Sequence, residues 1–113
     1  MTARRKSKAL AMSRRGLTGP AAVFKGWLAV PPSAARALAE MWAARGRAVT
    51  RAALMKSSGQ TSAGLNLSVK LLRAAMDAGA IETLPGEGYF LSAVGLAECR
   101  RALADAEQVR SAA

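Results

Sequence analysis

Asn66, Lys70 and Arg73 are the residues of this 113-residue chain whose types and spacing point most directly to chemistry. Their spacing suits one arc of a helix. A carboxamide such as Asn66 can pair with N6 and N7 of adenine together, while Lys70 and Arg73 can donate to guanine or to phosphate. Gln60, Thr61 and Ser62 offer further polar groups just ahead of them. Arg47, Arg51 and Lys56 come earlier still and could clamp phosphates. All of this is binding chemistry. The chain has no histidine, one cysteine (Cys99) and seven scattered carboxylates, so the commonest metal ligands and most nucleophile and base pairs cannot be assembled. The expectation is a protein that is not an enzyme and uses no metal or cofactor.

Lys and Arg number 17 against 7 acids, for a net charge of +10. Such an excess points to a polyanionic partner, nucleic acid before an anionic membrane. The excess is uneven, because residues 1–26 carry Arg4, Arg5, Lys6, Lys8, Arg14, Arg15 and Lys25 with no acid. Large side chains between Met1 and Pro20 are few and unpatterned, and Gly16, Gly19 and Pro20 punctuate the stretch. Such a segment buries too little surface to offset its ordering entropy. Residues 1–26 are therefore expected to be a flexible basic arm that lies on phosphates, the alternatives being a solubilising tail or a transit peptide. Residues 27–113 are long enough for one domain. A lone cysteine excludes an intramolecular disulfide and suits a reducing compartment, and Cys99 reads as a small packing residue. No apolar run is long enough to span a membrane. A cytoplasmic protein, at the nucleoid, is expected.

The elements that must position these residues follow from periodicity and stop signals. Trp27 to Val30 reads as a strand or extended segment halted by Pro31-Pro32. Ser33 is placed to cap a helix over 34–45 carrying Leu38, Met41 and Trp42, with Gly46 as its stop. Arg47-Ala48-Val49 is long enough only for a bridge or brief strand. Thr50 caps a short helix from Arg51 to about Lys56. The polar run from Ser57 to Ser62 forms a turn, and a longer helix runs from Ala63 or Gly64 to Ala78, ended by Gly79. On that helix Leu65, Val69, Leu72 and Met76 form a packing face, and Asn66, Lys70, Arg73 and Asp77 form a second, outward arc. Leu67 and Leu71 make a third strip. Pro85-Gly86-Glu87-Gly88 joins Ala80–Leu84 to Tyr89–Leu91 in a β-hairpin. Ser92 then caps a last helix with Leu96, Ala97, Leu103 and Ala106 inward.

The resulting fold class is mainly α with a small β-hairpin wing, in the order of a winged helix-turn-helix domain. The stretch from Gly46 to Leu91 resembles the effector domain of OmpR/PhoB-type response regulators, without a receiver domain in front. Gly46-Arg47-Ala48-Val49-Thr50-Arg51-Ala52-Ala53-Leu54-Met55 resembles that family's entry to its second helix. Leu65, Leu67, Val69, Leu72, Arg73 and Met76 match its recognition-helix pattern, and Ile81 through Leu91 is similar to its wing. Leu91-Ser92-Ala93-Val94-Gly95-Leu96 looks instead like the helix opening that follows the wing in other small winged-helix regulators. Two departures stand out. Glu82 and Pro85 occupy wing positions where the family often has arginine, with Glu87 adding an acid at the tip. The turn before the recognition helix is also shorter than the response regulators' activation loop.

The resemblance implies a small sequence-specific transcriptional regulator, bacterial or phage-like, with the helix over 63–78 in the major groove of double-stranded DNA. Asn66, Lys70, Arg73, Gln60, Thr61 and Ser62 would face bases. A module that binds RNA polymerase or a regulator protein is the alternative, favoured by the acidic wing, and a basic RNA- or ribosome-associated protein is a third reading. Leu67 with Leu71 and the last helix are candidate surfaces for a homodimer, though they equally suit packing within one monomer.

Overall fold

The computed structural model describes residues 17–112. Among them are five helices and one two-stranded antiparallel sheet: α1 Gly19–Leu28, α2 Pro32–Ala43, α3 Arg51–Ser58, α4 Ser62–Ala75, β1 Ile81–Leu84, β2 Gly88–Leu91 and α5 Ala93–Ala112. The chain is thus mainly helical with a small hairpin, and no described helix is long and apolar enough to cross a membrane.

The first helix corrects the sequence reading in two places. Residues 19–26, assigned to the flexible arm, and Trp27–Val30, assigned to an extended segment, form α1 and its exit instead. The remaining arm residues, 1–16, lie outside the described residues. Pro20 does not punctuate a loop; it sits in the first turn of α1, where its missing N–H costs no helical bond. Ala21 and Phe24 point inward, and the Phe24 ring meets Trp27 at 6.2 Å between centroids. Ala29 closes the helix in the left-handed region (φ 53°), its N–H donating to Lys25 O. Helix α1 packs on α2 and α5, so the folded unit begins before residue 27.

Smaller corrections concern helix ends. Helix α2 opens with Pro31 at the cap and Pro32 in the first turn, placing Ser33 inside rather than at its N-cap. It ends at Ala43, where Arg45 folds back over the Trp42 ring at 4.6 Å. Helix α4 stops at Ala75, not Ala78, because Met76 turns extended and drops into the core. Asp77 consequently leaves the helical arc. Its N–H donates to the Glu98 carboxylate at 3.2 Å, and its own carboxylate accepts from Gly79 N–H.

Other local expectations agree with the structure. Thr50 caps α3 by accepting from Ala53 N–H, and Val49 makes a single antiparallel bridge to Tyr89. The hairpin pairs Ile81 with Leu91 and Leu84 with Gly88. Its turn is closed by Glu87 N–H donating to Leu84 O, with Gly86 at φ 78° after Pro85, the backbone that a Pro-Gly turn favours. Ser92 Oγ accepts from Gly95 N–H and donates to Gly79 O, so one hydroxyl both caps α5 and ties it to the chain before β1.

The core gathers Phe24, Leu38, Met41, Leu54, Leu65, Leu72 and Cys99, all fully enclosed. From α5 the inward side chains are Cys99 and Ala102, flanked by half-buried Leu96, Leu103 and Ala106, whereas Ala97 faces solvent contrary to expectation. Gly95 is buried where α5 crosses the backbone of Ala80, and a β-carbon there would lie 2.2 Å from Ala80 O. Gly95→Ala should therefore cost about 1–3 kcal/mol in chemical denaturation. Gly26→Ala, in an open helical position, should instead gain about 0.5–1 kcal/mol.

Burial, reinforced by the neighbouring Glu98 carboxylate, pushes the Cys99 thiol up to about 12 from 9.0. The folded chain keeps this thiol neutral while the unfolded chain ionises it above pH 9.0. Its contribution to stability is complete below that pH and is lost as pH rises toward 12. Native protein at neutral pH should resist iodoacetamide until denatured, and the alkaline loss of stability between those two values should be smaller in Cys99→Ala.

Candidate nucleic-acid interface

Helices α3 and α4 and the hairpin meet at one side chain. Arg51, in the first turn of α3, is half-buried and directs its guanidinium across to α4 and β2. Its Nη1 donates to Asn66 Oδ1 at 2.8 Å and to the Tyr89 hydroxyl at 2.7 Å. Its Nη2 donates to Ser62 Oγ at 2.7 Å and to Ser62 O at 3.3 Å. The guanidinium carbon also lies 5.9 Å from the centre of the Tyr89 ring. A planar fork with donors and no acceptor obliges every neighbour to turn an oxygen toward it. Arg51, expected on a phosphate, serves instead as an internal tie.

The turn between α3 and α4 is secured by a second network. Ser58 and Ser68 are the buried polar residues of the described chain, and Gln60 lies between them. Gln60 Nε2 donates to Ser68 Oγ and, at 3.1 Å, to Gly64 O, while its Oε1 accepts from Ser58 Oγ at 2.9 Å. Ser58 and Ser68 thus have partners through Gln60, as buried hydroxyls require. Thr61 caps α4 by accepting from Gly64 N–H at 3.1 Å. Gln60, Thr61 and Ser62, all expected to read bases, are therefore occupied in building the turn.

On α4 the core side is Leu65, Ser68, Val69 and Leu72. At 3.6 residues per turn, the stripe directly opposite is Ala63, Leu67, Lys70 and Ala74, and all four are exposed. Asn66 and Arg73 flank that stripe on the hairpin side, Asn66 held by Arg51 and Arg73 donating through Nη2 to Thr83 Oγ1 at 2.7 Å. Of the predicted trio, only Lys70 stands on the outermost line. Leu67 is 56% exposed while Leu71 is partly covered, so Leu67 is not covered by the last helix within the monomer.

The hairpin turn stands away from α3 across a cleft of about 250 Å³ walled by Thr50, Arg51, Tyr89 and the turn residues. Gly88, at φ 123°, lets β2 pass so close to Val49 that a β-carbon would lie 2.0 Å from Val49 O. Arg47 and Lys56 are exposed at the two ends of the α3 region, and Glu82 and Glu87 are exposed on the hairpin. Between Glu40 and Asp77 there is no carboxylate and six cations, Arg45, Arg47, Arg51, Lys56, Lys70 and Arg73. Six of the seven acids follow, from Asp77 onward. The α3–α4 unit is thus the acid-free part of the described chain after Glu40. Among the described residues no three His, Cys, Asp or Glu side chains gather as metal ligands would.

Comparison with protein-family models, with curated proteins and with solved structures found no match for this chain.

Arg51→Lys retains a charge but loses the fork, so it should lower stability by about 1.5–3 kcal/mol, the range for hydrogen bonds to charged groups. Tyr89→Phe removes one acceptor and should cost about 1 kcal/mol. Chemical denaturation of both single variants and the double variant should show less than additive losses, because Arg51 and Tyr89 share a bond.

Proposed function

We propose that the chain is a small winged helix-turn-helix protein that binds double-stranded DNA, with α4 in the major groove. The observation that carries this reading is the acid-free α3–α4 unit, whose helix α4 projects an exposed stripe that includes Lys70. A polyanion is attracted to such a unit and repelled by the carboxylates that follow it. The order α2, Val49 bridge, α3, α4, hairpin, α5 supports the winged arrangement.

Within this reading Arg47, Lys56 and Lys70 meet phosphate or base edges, and Arg73 does so only by releasing Thr83 or sharing its remaining donors. Asn66 turns its oxygen to Arg51, which leaves its amide nitrogen as the group for a base acceptor such as purine N7. The hairpin, with Glu82 and Glu87 exposed, stays off the backbone. Arg4, Arg5, Lys6, Lys8, Arg14 and Arg15 add phosphate contacts from outside the described residues. A polymerase- or regulator-binding module is the second reading, favoured by the exposed carboxylates of the hairpin.

Fluorescence anisotropy with random-sequence duplex across a salt series tests the proposal. Arg47→Gln and Lys56→Gln should each flatten the slope of log affinity against log salt by about 0.9, one phosphate contact apiece. Replacing the six cations of residues 1–16 by glutamine should flatten it further and leave sequence preference unchanged. Glu87→Ala should leave duplex binding intact. No salt-dependent affinity for duplex, with binding to a protein partner lost in Glu87→Ala, would favour the second reading.

A further inference from the structure

The outermost line of α4 is chemically unusual for a helix meant to recognise bases by hydrogen bonds. Three of its four side chains, Ala63, Leu67 and Ala74, are hydrocarbon, and Leu67 at the centre of the line is 56% exposed. The polar residues beside this line each hold at least one contact within the fold. Gln60 bridges two buried serines, Thr61 caps the helix, Ser62 and Asn66 accept from Arg51, and Arg73 donates to Thr83. Lys70, three residues after Leu67, supplies the one charged donor on the line.

An exposed leucine in the stretch between Glu40 and Asp77, which holds six cations and no acid, calls for an occupant that is anionic at its edges and apolar where it meets the helix. The floor of the DNA major groove fits that description at one base. Thymine presents a C5-methyl group beside its O4 acceptor, and none of the other three bases carries a methyl group there. We infer that α4 recognises thymine through its methyl group, with Leu67 packed on the methyl and Lys70 positioned to donate to a neighbouring acceptor. The inference rests on the DNA-binding reading and narrows it to the base read at the centre of the helix.

Uracil lacks only the methyl, so it isolates this contact. The measurement is fluorescence anisotropy of the full chain on an alternating adenine–thymine duplex and on the same duplex with uracil at every thymine, at matched salt. The native chain should bind the uracil duplex about fourfold more weakly for each methyl contacted. Leu67→Ala, at an exposed helical position, keeps the fold and should bind both duplexes equally, at the level the native chain shows for uracil, with an unchanged salt slope. As a gain-of-contact check, 5-methylcytosine in an alternating guanine–cytosine duplex should raise native affinity and leave Leu67→Ala unaffected. Equal, salt-dependent binding of thymine and uracil duplexes by the native chain would overturn the inference while leaving DNA binding in place. A thymine preference that survives in Leu67→Ala would also overturn it. Failure to bind either duplex would remove the DNA-binding reading itself and leave Leu67 as the centre of a protein-docking face.

Discussion

The guanidinium of Arg51 is the interaction on which the arrangement of α3, α4 and the hairpin depends. Four donors on two nitrogens reach Ser62 at the start of α4, Asn66 one turn later and Tyr89 on β2. A flexible ammonium could satisfy some of these oxygens but could not fix their relative directions, because its donors are not held in a plane. The hairpin has few other anchors on this side: the Val49–Tyr89 bridge and the Arg73–Thr83 bond. Since β1 and β2 alone would be marginal, the hairpin is held by Ile81, Tyr89 and Leu91 buried in the core, with the polar contacts from the helices fixing its outer side.

That arrangement redistributes the polar surface. Side chains that look outward in a helical projection become part of the scaffold: Arg51 and Arg73 toward the hairpin, Gln60 into the turn, Thr61 onto the helix end. What remains facing outward from α4 is a line of small and aliphatic groups with Lys70 among them. Charge then decides what that line can approach. The absence of carboxylates between Glu40 and Asp77 leaves the helix pair cationic, while Glu82 and Glu87 are exposed on the hairpin. Recognition in the proposed complex is therefore concentrated in α4.

The elements with strong local signals were legible. Thr50 and Ser92 have side-chain oxygens at helix starts, Pro85-Gly86 supplies the two backbone conformations a tight turn needs, and Leu65, Val69 and Leu72 recur at helical spacing. Helix α1 was concealed because Gly19, Pro20 and Gly26 resemble loop punctuation, although Ala21, Phe24 and Leu28 already carry a helical period. Helix α4 was drawn three residues too long because Ala75 to Ala78 contains no breaker. Its end is imposed by Met76 entering the core and by Glu98 accepting from Asp77 N–H, a carboxylate that arrives from α5.

Local information in the chain determined the helical period of Leu65, Val69 and Leu72, the Thr50 and Ser92 caps, the Pro85-Gly86 turn, and that the charge is strongly positive with its acids placed late. Tertiary structure decided the roles of the polar side chains. Whether Arg51, Gln60 or Arg73 is free depends on oxygens brought from residues 8 to 38 positions away, among them Tyr89, Ser68 and Thr83, and Asn66 is engaged by the Arg51 guanidinium 15 positions away. A donor's partner is a matter of distance and angle in the folded chain, and neither is encoded in the spacing of the residues around it.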